Sequence, residues 1–270
     1  MKPPEGARRP GFPVSLKAGP GSSSSTKKIA SNVTSSSVRG LNGDSKEPRT
    51  LITSGAGLDT HPLRARMVQK LAAQGLADPQ VLAAMGWVER HRFVDSALGN
   101  QAYEDTSLPI GLGQTISKPN VVARMLELLM HGQTGKLGRV LEIGTGCGYQ
   151  AALLGQLASE VYSMERLRGL HDKARENLRP FRLPNIHLLF GDGMAGFAKG
   201  GPYAAIISAA GGADIPAAWI EQLAIGGRLV APTQTASGGQ MLVVVDKTAE
   251  GIRQTVLEAV HFVPLKSGTS

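Results

Sequence analysis

Residues 140–149 read VLEIGTGCGY, an apolar run that leads into three glycines. This pattern predicts a buried strand that turns tightly into a helix. Glycines at such a turn let the backbone pass close to a ligand and direct its amide groups toward it. In a dinucleotide-binding G-x-G-x-x-G loop the third glycine would stand where this chain has Tyr149. The spacing therefore argues against a dinucleotide-binding site.

Three acidic residues accompany this glycine loop. Glu142 precedes the first glycine by two positions, and its carboxylate would repel a pyrophosphate but suit a cationic ammonium group. At the ends of the next two predicted strands, Glu165 could accept hydrogen bonds from both ribose hydroxyls and Asp192 could take an adenine amino group. A single acid at a strand end is usually only solvated. Three of them in register with one glycine loop predict a methyltransferase that uses S-adenosyl-L-methionine.

Strands and helices alternate through the second half of the chain. Strands are predicted at 140–143, 161–164, 186–190, 204–208, 228–231, 241–246 and 255–262, and helices at about 148–157, 167–178 and 216–223. Units of this size form α/β folds with a doubly wound, mostly parallel sheet, here of seven strands. The last two strands leave no room for a helix between them, so we predict an antiparallel C-terminal pair.

The part before the sheet is predicted to be helical around one loop. Apolar residues at helical spacing begin near Leu63, and Asp78-Pro79 has the pattern of an N-cap followed by the first helical residue. Residues 108–117 are predicted to form a loop because proline and two glycines interrupt them. Ser117 is the predicted N-cap of a helix that runs to about His131.

The first 57 residues differ in composition from the rest. They are rich in Ser, Gly, Pro and Lys, and they hold nine of the 29 basic residues but only three of the 21 acidic ones. Such a segment buries too little apolar area to offset its ordering entropy. We therefore predict a disordered basic tail over 1–57 and one domain over 58–270. Within that domain, 58–131 would form the N-terminal helices and a substrate loop, and 139–270 the sheet.

Composition excludes several classes of protein. No stretch approaches the about 18–20 apolar residues of a membrane span, and the first 57 residues lack the apolar core of a secretory signal. One cysteine excludes an intrachain disulfide and a multi-cysteine zinc site, and six histidines without ligand spacing predict no metal. Only 4% of residues are aromatic, and the chain after the tail is nearly neutral, which argues against a nucleic-acid partner. A cytoplasmic location is expected.

Residues 108–119, LPIGLGQTISKP, resemble the LPIG-x-GQTIS-x-P signature of protein-L-isoaspartate O-methyltransferases. The likeness covers about residues 61–270 and does not include the tail. Its further segments are RHRFV at 90–94, AYED at 102–105, the glycine loop at 140–149, and 161–166, 191–193, 225–230 and 260–265. The resemblance implies the class I S-adenosylmethionine-dependent methyltransferase fold.

The resemblance also implies a repair reaction. Asn and Asp residues in ageing proteins rearrange through a succinimide to isoaspartyl residues, and the enzyme methylates the freed α-carboxylate. The ester then closes to a succinimide that reopens in part to aspartate. Isoaspartyl-containing proteins and peptides are thus the implied partners. A carboxylate with a pKa of about 4 is already ionised at neutral pH, so no general base is required and alignment and water exclusion should dominate.

The resemblance implies roles for individual residues. Ser117 would be the catalytic residue, orienting the substrate carboxylate or the loop, and Thr115 and Ile116 would bind substrate. Two departures leave contacts open: Asn120 stands where some members have His or Tyr, and Lys266 where some have Thr. The cofactor-binding set would be Glu142, Gly144, Thr145, Gly146, Gly148, Glu165, Asp192 and Gly193.

Two other functions stay open on the sequence. One is a methyltransferase of this fold that acts on a different carboxylate or on a small molecule, which the TIS loop disfavours. The other is a cofactor-binding protein without catalysis that acts through its basic tail, which the intact acids and Ser117 disfavour. Cys147, at a helix N-terminus, is either a small residue that fits or a reactive thiol with a lowered pKa. Trp87, Trp219 and the eight methionines are expected in the core or in helix packing.

Overall fold

A computed structural model describes residues 60–270 of the chain. The tail predicted over 1–57 lies outside the described residues. Two helices, α1 (His61–Ala73) and α2 (Pro79–Trp87), open the described part. The Asp78 carboxylate accepts hydrogen bonds from the amides of Gln80 and Val81, which confirms the predicted N-cap. No helix in the range 60–270 is long and apolar enough to cross a bilayer.

Residues 108–117 form a hairpin, and the prediction of a loop is wrong there. Strand β1 (Leu108–Gly111) pairs antiparallel with β2 (Gln114–Ile116). The turn between them needs left-handed backbone, which Gly111 and Gly113 supply at φ of 98° and 69°. Leu112 at the tip also has a positive φ of 52° and is exposed. Pro and Gly are loop signals in isolation, but here they shape the turn of a short strand pair.

Helix α3 (Pro119–Met130) begins two residues after Ser117, so the prediction that Ser117 caps it is wrong. Lys118 occupies the N-cap position and makes no side-chain cap hydrogen bond. Proline is favoured at the first helical position because its φ is preset and it has no N–H to satisfy, and this places the helix start at Pro119. The Ser117 hydroxyl is thereby free of a capping role.

Seven strands form one sheet in the order β5-β4-β3-β6-β7-β8-β9. Pairing is parallel from β5 to β7 and antiparallel at β7–β8 and β8–β9, which confirms the predicted doubly wound sheet and its antiparallel C-terminal strands. The strands are β3 (Leu137–Ile143), β4 (Ala158–Glu165), β5 (Ile186–Phe190), β6 (Tyr203–Ser208), β7 (Leu223–Gln234), β8 (Gln240–Thr248) and β9 (Gly251–Val260). The helices between them are α4 (Tyr149–Leu157), α5 (Arg168–Leu178) and α6 (Ala217–Gln222).

Apolar side chains bury both faces of the sheet. On β3, Val140 packs into one hydrophobic cluster with helices α1–α4, while Leu141 and Ile143 pack into a second cluster with Trp219. The Trp219 indole N–H donates to the Gly193 carbonyl at 2.8 Å. Trp87 lies at the end of α2, where it is 47% exposed and its ring centroid is 5.7 Å from that of Phe181. Since β3 has β4 on one side and β6 on the other, the strand order reverses there, which places a ligand crevice at its carboxyl end.

Candidate active site

A cleft of about 440 Å³ opens at the carboxyl ends of β3 and β4, within the size range of small-molecule sites. The β1–β2 hairpin covers one side of it and the glycine loop forms its floor. Its lining comprises Ile110, Leu112–Thr115, Ser117, Ile143, Gly144, Gly146, 164–167, Leu170, Gly193, Ala209, Ala210 and 263–266. The predicted substrate segment and cofactor loop therefore meet in one site.

Two of the three loop glycines face the cleft. Gly144 and Gly146 have φ of 90° and 57°, values that side chains rarely adopt, and both line the cleft. A Cβ atom on Gly146 would lie 3.3 Å from the Ile110 side chain across the cleft. Gly148 also has a positive φ, but a Cβ there would meet Leu178 of α5 at 3.1 Å. Gly148 thus serves the packing of α4 on α5 and does not line the cleft.

Glu165 ends β4 with its carboxylate at the cleft wall. One oxygen accepts the Gly146 amide at 2.8 Å, and the other accepts the amides of Arg166 and Leu167 at 2.9 Å. A carboxylate offers about four acceptor positions, so three are used and one remains, on the oxygen that holds Gly146. The bond to Gly146 ties the glycine loop to the same carboxylate.

Glu142 lies beneath the loop and not in the cleft. Its side chain is fully buried, and the Ser163 hydroxyl donates a hydrogen bond to it. The hydroxyl of Thr145, also buried, forms a hydrogen bond of 2.6 Å with that of Ser163. Burial raises the pKa of Glu142 to about 8, so the group is neutral at pH 7. The prediction that a Glu142 charge faces the ligand is wrong, because β3 is buried on both faces and hides this side chain.

Asp192 follows β5 and is engaged by the protein itself. One oxygen accepts the Met194 amide at 2.9 Å and the other accepts the Gly268 amide at 2.7 Å. The segment around Gly268 is also held just after β4, where Ser270 exchanges backbone hydrogen bonds with Arg166 and Arg168. Asp192 does not line the cleft, whereas its neighbour Gly193 does. A Cβ on Gly193 would lie 2.6 Å from Ile143, so no side chain fits there.

The predicted substrate residues divide between cleft and core. Thr115 and Ser117 line the cleft, whereas Ile116 is buried in the hydrophobic core. No hydrogen bond within residues 60–270 engages the Ser117 hydroxyl, which leaves it available to a ligand. Lys266 lines the cleft as well. Asn120 does not, and its backbone N–H donates to the Asp105 carboxylate at 3.0 Å.

Cys147 is buried, and burial raises the pKa of its thiol to about 11. The reactive-thiol interpretation is therefore disfavoured, since the nucleophile is the thiolate. Over the range 60–270 no group of three His, Cys, Asp or Glu side chains could hold a metal ion.

Two parts of the site escaped the prediction from sequence. Leu112 at the hairpin tip and the turn at Ala209-Ala210 both line the cleft, although neither carries a polar side chain that would single it out. Arg90 was missed as well, and it contacts the backbone of Ser117 from the core at 2.7 Å. The sequence marked it only as part of the RHRFV segment.

The family model for Protein-L-isoaspartate(D-aspartate) O-methyltransferase matches residues 63–270. A protein-L-isoaspartate O-methyltransferase of Methylibium petroleiphilum is 62% identical over 219 residues, which cover 80% of this chain and 81% of that protein. One from Leptothrix cholodnii is 60% identical over 225 residues, covering 82% and 80%.

Solved structures give the same result for the fold. A protein-L-isoaspartate O-methyltransferase aligns with a TM-score of 0.69 and 26% identity, over 76% of this chain and 66% of that one. A chain from Plasmodium falciparum, in complex with S-adenosyl-L-homocysteine, aligns with a TM-score of 0.67 and 24% identity, over 75% and 98%.

Proposed function

Because the chain belongs to the protein-L-isoaspartate O-methyltransferase family, we propose that it methylates the α-carboxylate of L-isoaspartyl residues in damaged proteins and so starts their repair through a succinimide. The methyl donor is S-adenosyl-L-methionine. The observation that carries the proposal is the cleft itself, where Thr115 and Ser117 face the glycine loop that runs from Gly144 to Gly146.

Bound S-adenosyl-L-methionine supplies an electrophilic methyl group on a positively charged sulfur. The remaining acceptor position of Glu165 would bind a ribose hydroxyl of this cofactor, while the hydrogen bond from the Gly146 amide keeps the loop backbone in place. Gly144, Gly146 and Gly193 leave the space that a side chain would fill. The residues around the methyl donor therefore bind and orient the cofactor, and none of them needs to exchange a proton.

On the side of the methyl acceptor, the substrate carboxylate must be positioned, and no general base is required because it is already ionised. The Ser117 hydroxyl would donate to one oxygen of the substrate carboxylate and so orient the other oxygen for methyl transfer. Thr115 and the backbone at Ile116 hold the neighbouring atoms of the isoaspartyl peptide. The hairpin covers the cleft and reduces the water around two opposite charges that neutralise each other during the transfer.

The remaining predicted cofactor residues act from outside the cleft. Thr145 and Glu142 form a hydrogen-bonded chain with Ser163 that supports the loop from below. Gly148 lets α4 pack on α5, and Asp192 holds the segment at Gly268 next to the cleft residue Gly193. A cytoplasmic location remains part of this proposal.

The test is methyl transfer from labelled S-adenosyl-L-methionine to two synthetic peptides that differ only in L-isoaspartate against L-aspartate. We expect base-labile label on the isoaspartyl peptide alone. The matched variant is Ser117→Ala, for which kcat should fall about tenfold or more while the Kd for S-adenosyl-L-homocysteine stays within about twofold. If neither peptide were labelled while S-adenosyl-L-homocysteine still bound, the protein would methylate a different acceptor.

A further inference from the structure

A fully buried arginine lies behind the hairpin. Arg90 belongs to a short 3-10 helix at Arg90–Phe93, and its side chain has no exposed surface. None of the ion pairs within residues 60–270 includes it. Its guanidinium lies over the Tyr149 ring, 4.8 Å from the centroid. Burying a charge without a carboxylate is costly unless its donors are satisfied.

Backbone carbonyls satisfy Nε and one terminal nitrogen, while the other terminal nitrogen is buried without a hydrogen-bond partner. Nε donates to the Ala102 carbonyl at 2.7 Å, and one terminal nitrogen donates to the Ser117 carbonyl at 2.7 Å and to the Thr106 carbonyl at 3.4 Å. The hairpin β1–β2 starts two residues after Thr106 and ends one residue before Ser117. A single side chain therefore holds both ends of the hairpin to the core.

These bonds bear on Ser117 in particular. Its hydroxyl is unbonded in residues 60–270 and it does not cap α3, so the bond to its carbonyl is the polar contact that fixes this residue from behind. The other polar tether of the hairpin lies near its tip, where the Lys173 ammonium donates to the Ile110 carbonyl at 3.0 Å. The guanidinium therefore contacts the backbone of the residue whose side chain lines the cleft.

We propose that Arg90 is a positioning residue for methyl transfer, which sets the Ser117 hydroxyl in the cleft by binding the Ala102, Thr106 and Ser117 carbonyls together. The proposal rests on the function proposed above. A planar guanidinium can bind carbonyls in different directions at once, whereas a lysine ammonium on the same stem would reach only some of them. Arg90→Lys therefore keeps the charge and changes the geometry.

The experiment compares Arg90→Lys with Arg228→Lys. Arg228 is the matched control because it also binds backbone carbonyls, those of Leu128 and His131, but lies outside the cleft. The measurements are kcat and KM for an isoaspartyl peptide, the Kd for S-adenosyl-L-homocysteine, and Tm. For Arg90→Lys we expect kcat to fall between about tenfold and about a hundredfold, with that Kd within about twofold. Arg228→Lys should lower Tm and leave kcat unchanged.

A double variant separates positioning from general damage. If Arg90 acts through Ser117, adding Arg90→Lys to Ser117→Ala should lower kcat by less than about twofold beyond Ser117→Ala alone. The proposal would be overturned if the kcat losses of the two single variants multiplied in the double variant, or if Arg90→Lys kept the wild-type kcat. It would also be overturned if neither Arg90→Lys nor Arg90→Met folded in the presence of S-adenosyl-L-homocysteine. An inactive wild-type protein would instead refute the proposed function, so the two failures are distinct.

Discussion

Replacing Glu142 with glutamine should remove a pH dependence of stability that the wild-type protein shows between pH 5 and pH 8. The carboxyl group is fully buried under the glycine loop, and burial raises its pKa from the ordinary 4.5 to about 8. Glutamine has nearly the same shape and is neutral at every pH in this range. It can also keep a hydrogen bond with the Ser163 hydroxyl.

The size of the effect follows from proton linkage. Above pH 4.5 the unfolded chain releases the Glu142 proton, while the folded protein keeps it until about pH 8. Because the folded pKa is raised, the contribution of this group is fully present below pH 4.5 and is lost as pH rises toward 8. Each pH unit in that window lowers the free energy of unfolding by about 1.4 kcal/mol, so the loss from pH 5.5 to 7.5 is about 3 kcal/mol.

The assay is urea unfolding of both proteins at half-unit steps from pH 5.5 to 9, with the difference between them taken at each step. Subtraction removes the groups that both chains share. We expect the wild-type protein to lose stability relative to Glu142→Gln up to about pH 8 and the difference to level off above it. Parallel profiles across the whole range would show that Glu142 is ionised in the folded protein, and would refute its placement as a neutral support.

Three further changes test the cleft. Glu165→Gln places an amide nitrogen where the Gly146 amide or a ribose hydroxyl needs an acceptor. The Kd for S-adenosyl-L-homocysteine, measured by calorimetry, should therefore rise about tenfold or more. An unchanged Kd would show that Glu165 does not bind the ribose. Gly146→Ala adds a Cβ at a φ of 57° and 3.3 Å from the Ile110 side chain, so the free energy of unfolding should fall by about 1 kcal/mol or more and cofactor binding should weaken; wild-type values for both would contradict the strained turn. The buried thiol of Cys147 should resist a disulfide reagent at pH 8 until urea unfolds the protein, because its pKa is raised to about 11; rapid modification of the folded protein would restore the reactive-thiol interpretation.

The order of strands and helices could be predicted because each β-α unit leaves a local pattern. The apolar run before Gly144 and the N-cap at Asp78 both depend on neighbours within a few residues, and both predictions are confirmed. Boundaries depend on pairing with distant strands instead. Strand β7, predicted at 228–231, extends over Leu223–Gln234 because β6 and β8 supply partners beyond its apolar centre. The sequence of the strand itself contains no signal of these distant partners.

The roles of the three acids show the same limit within the site. Glu142, Glu165 and Asp192 all lie at or near the carboxyl ends of parallel strands, and nothing in their spacing along the chain predicts different roles for them. The structure separates them by the direction of each side chain: Glu165 faces the cleft, Glu142 is buried between sheet and helices, and Asp192 binds Gly268 from a distant part of the chain. Strand β3 is buried on both faces, so an acidic side chain within it is buried and does not face the cleft.

Backbone contacts explain why Arg90 is the hardest residue to assign from sequence. Its partners are three carbonyl oxygens, and every residue type carries a carbonyl, so neither composition nor spacing can reveal them. The reaction also makes such a residue more important. A carboxylate that is already ionised needs no base, so the rate depends on where the Ser117 hydroxyl and the methyl group stand relative to each other. A misplacement of about 1 Å can cost a hundredfold in rate, and a rigid guanidinium behind the loop limits such movement without touching the substrate.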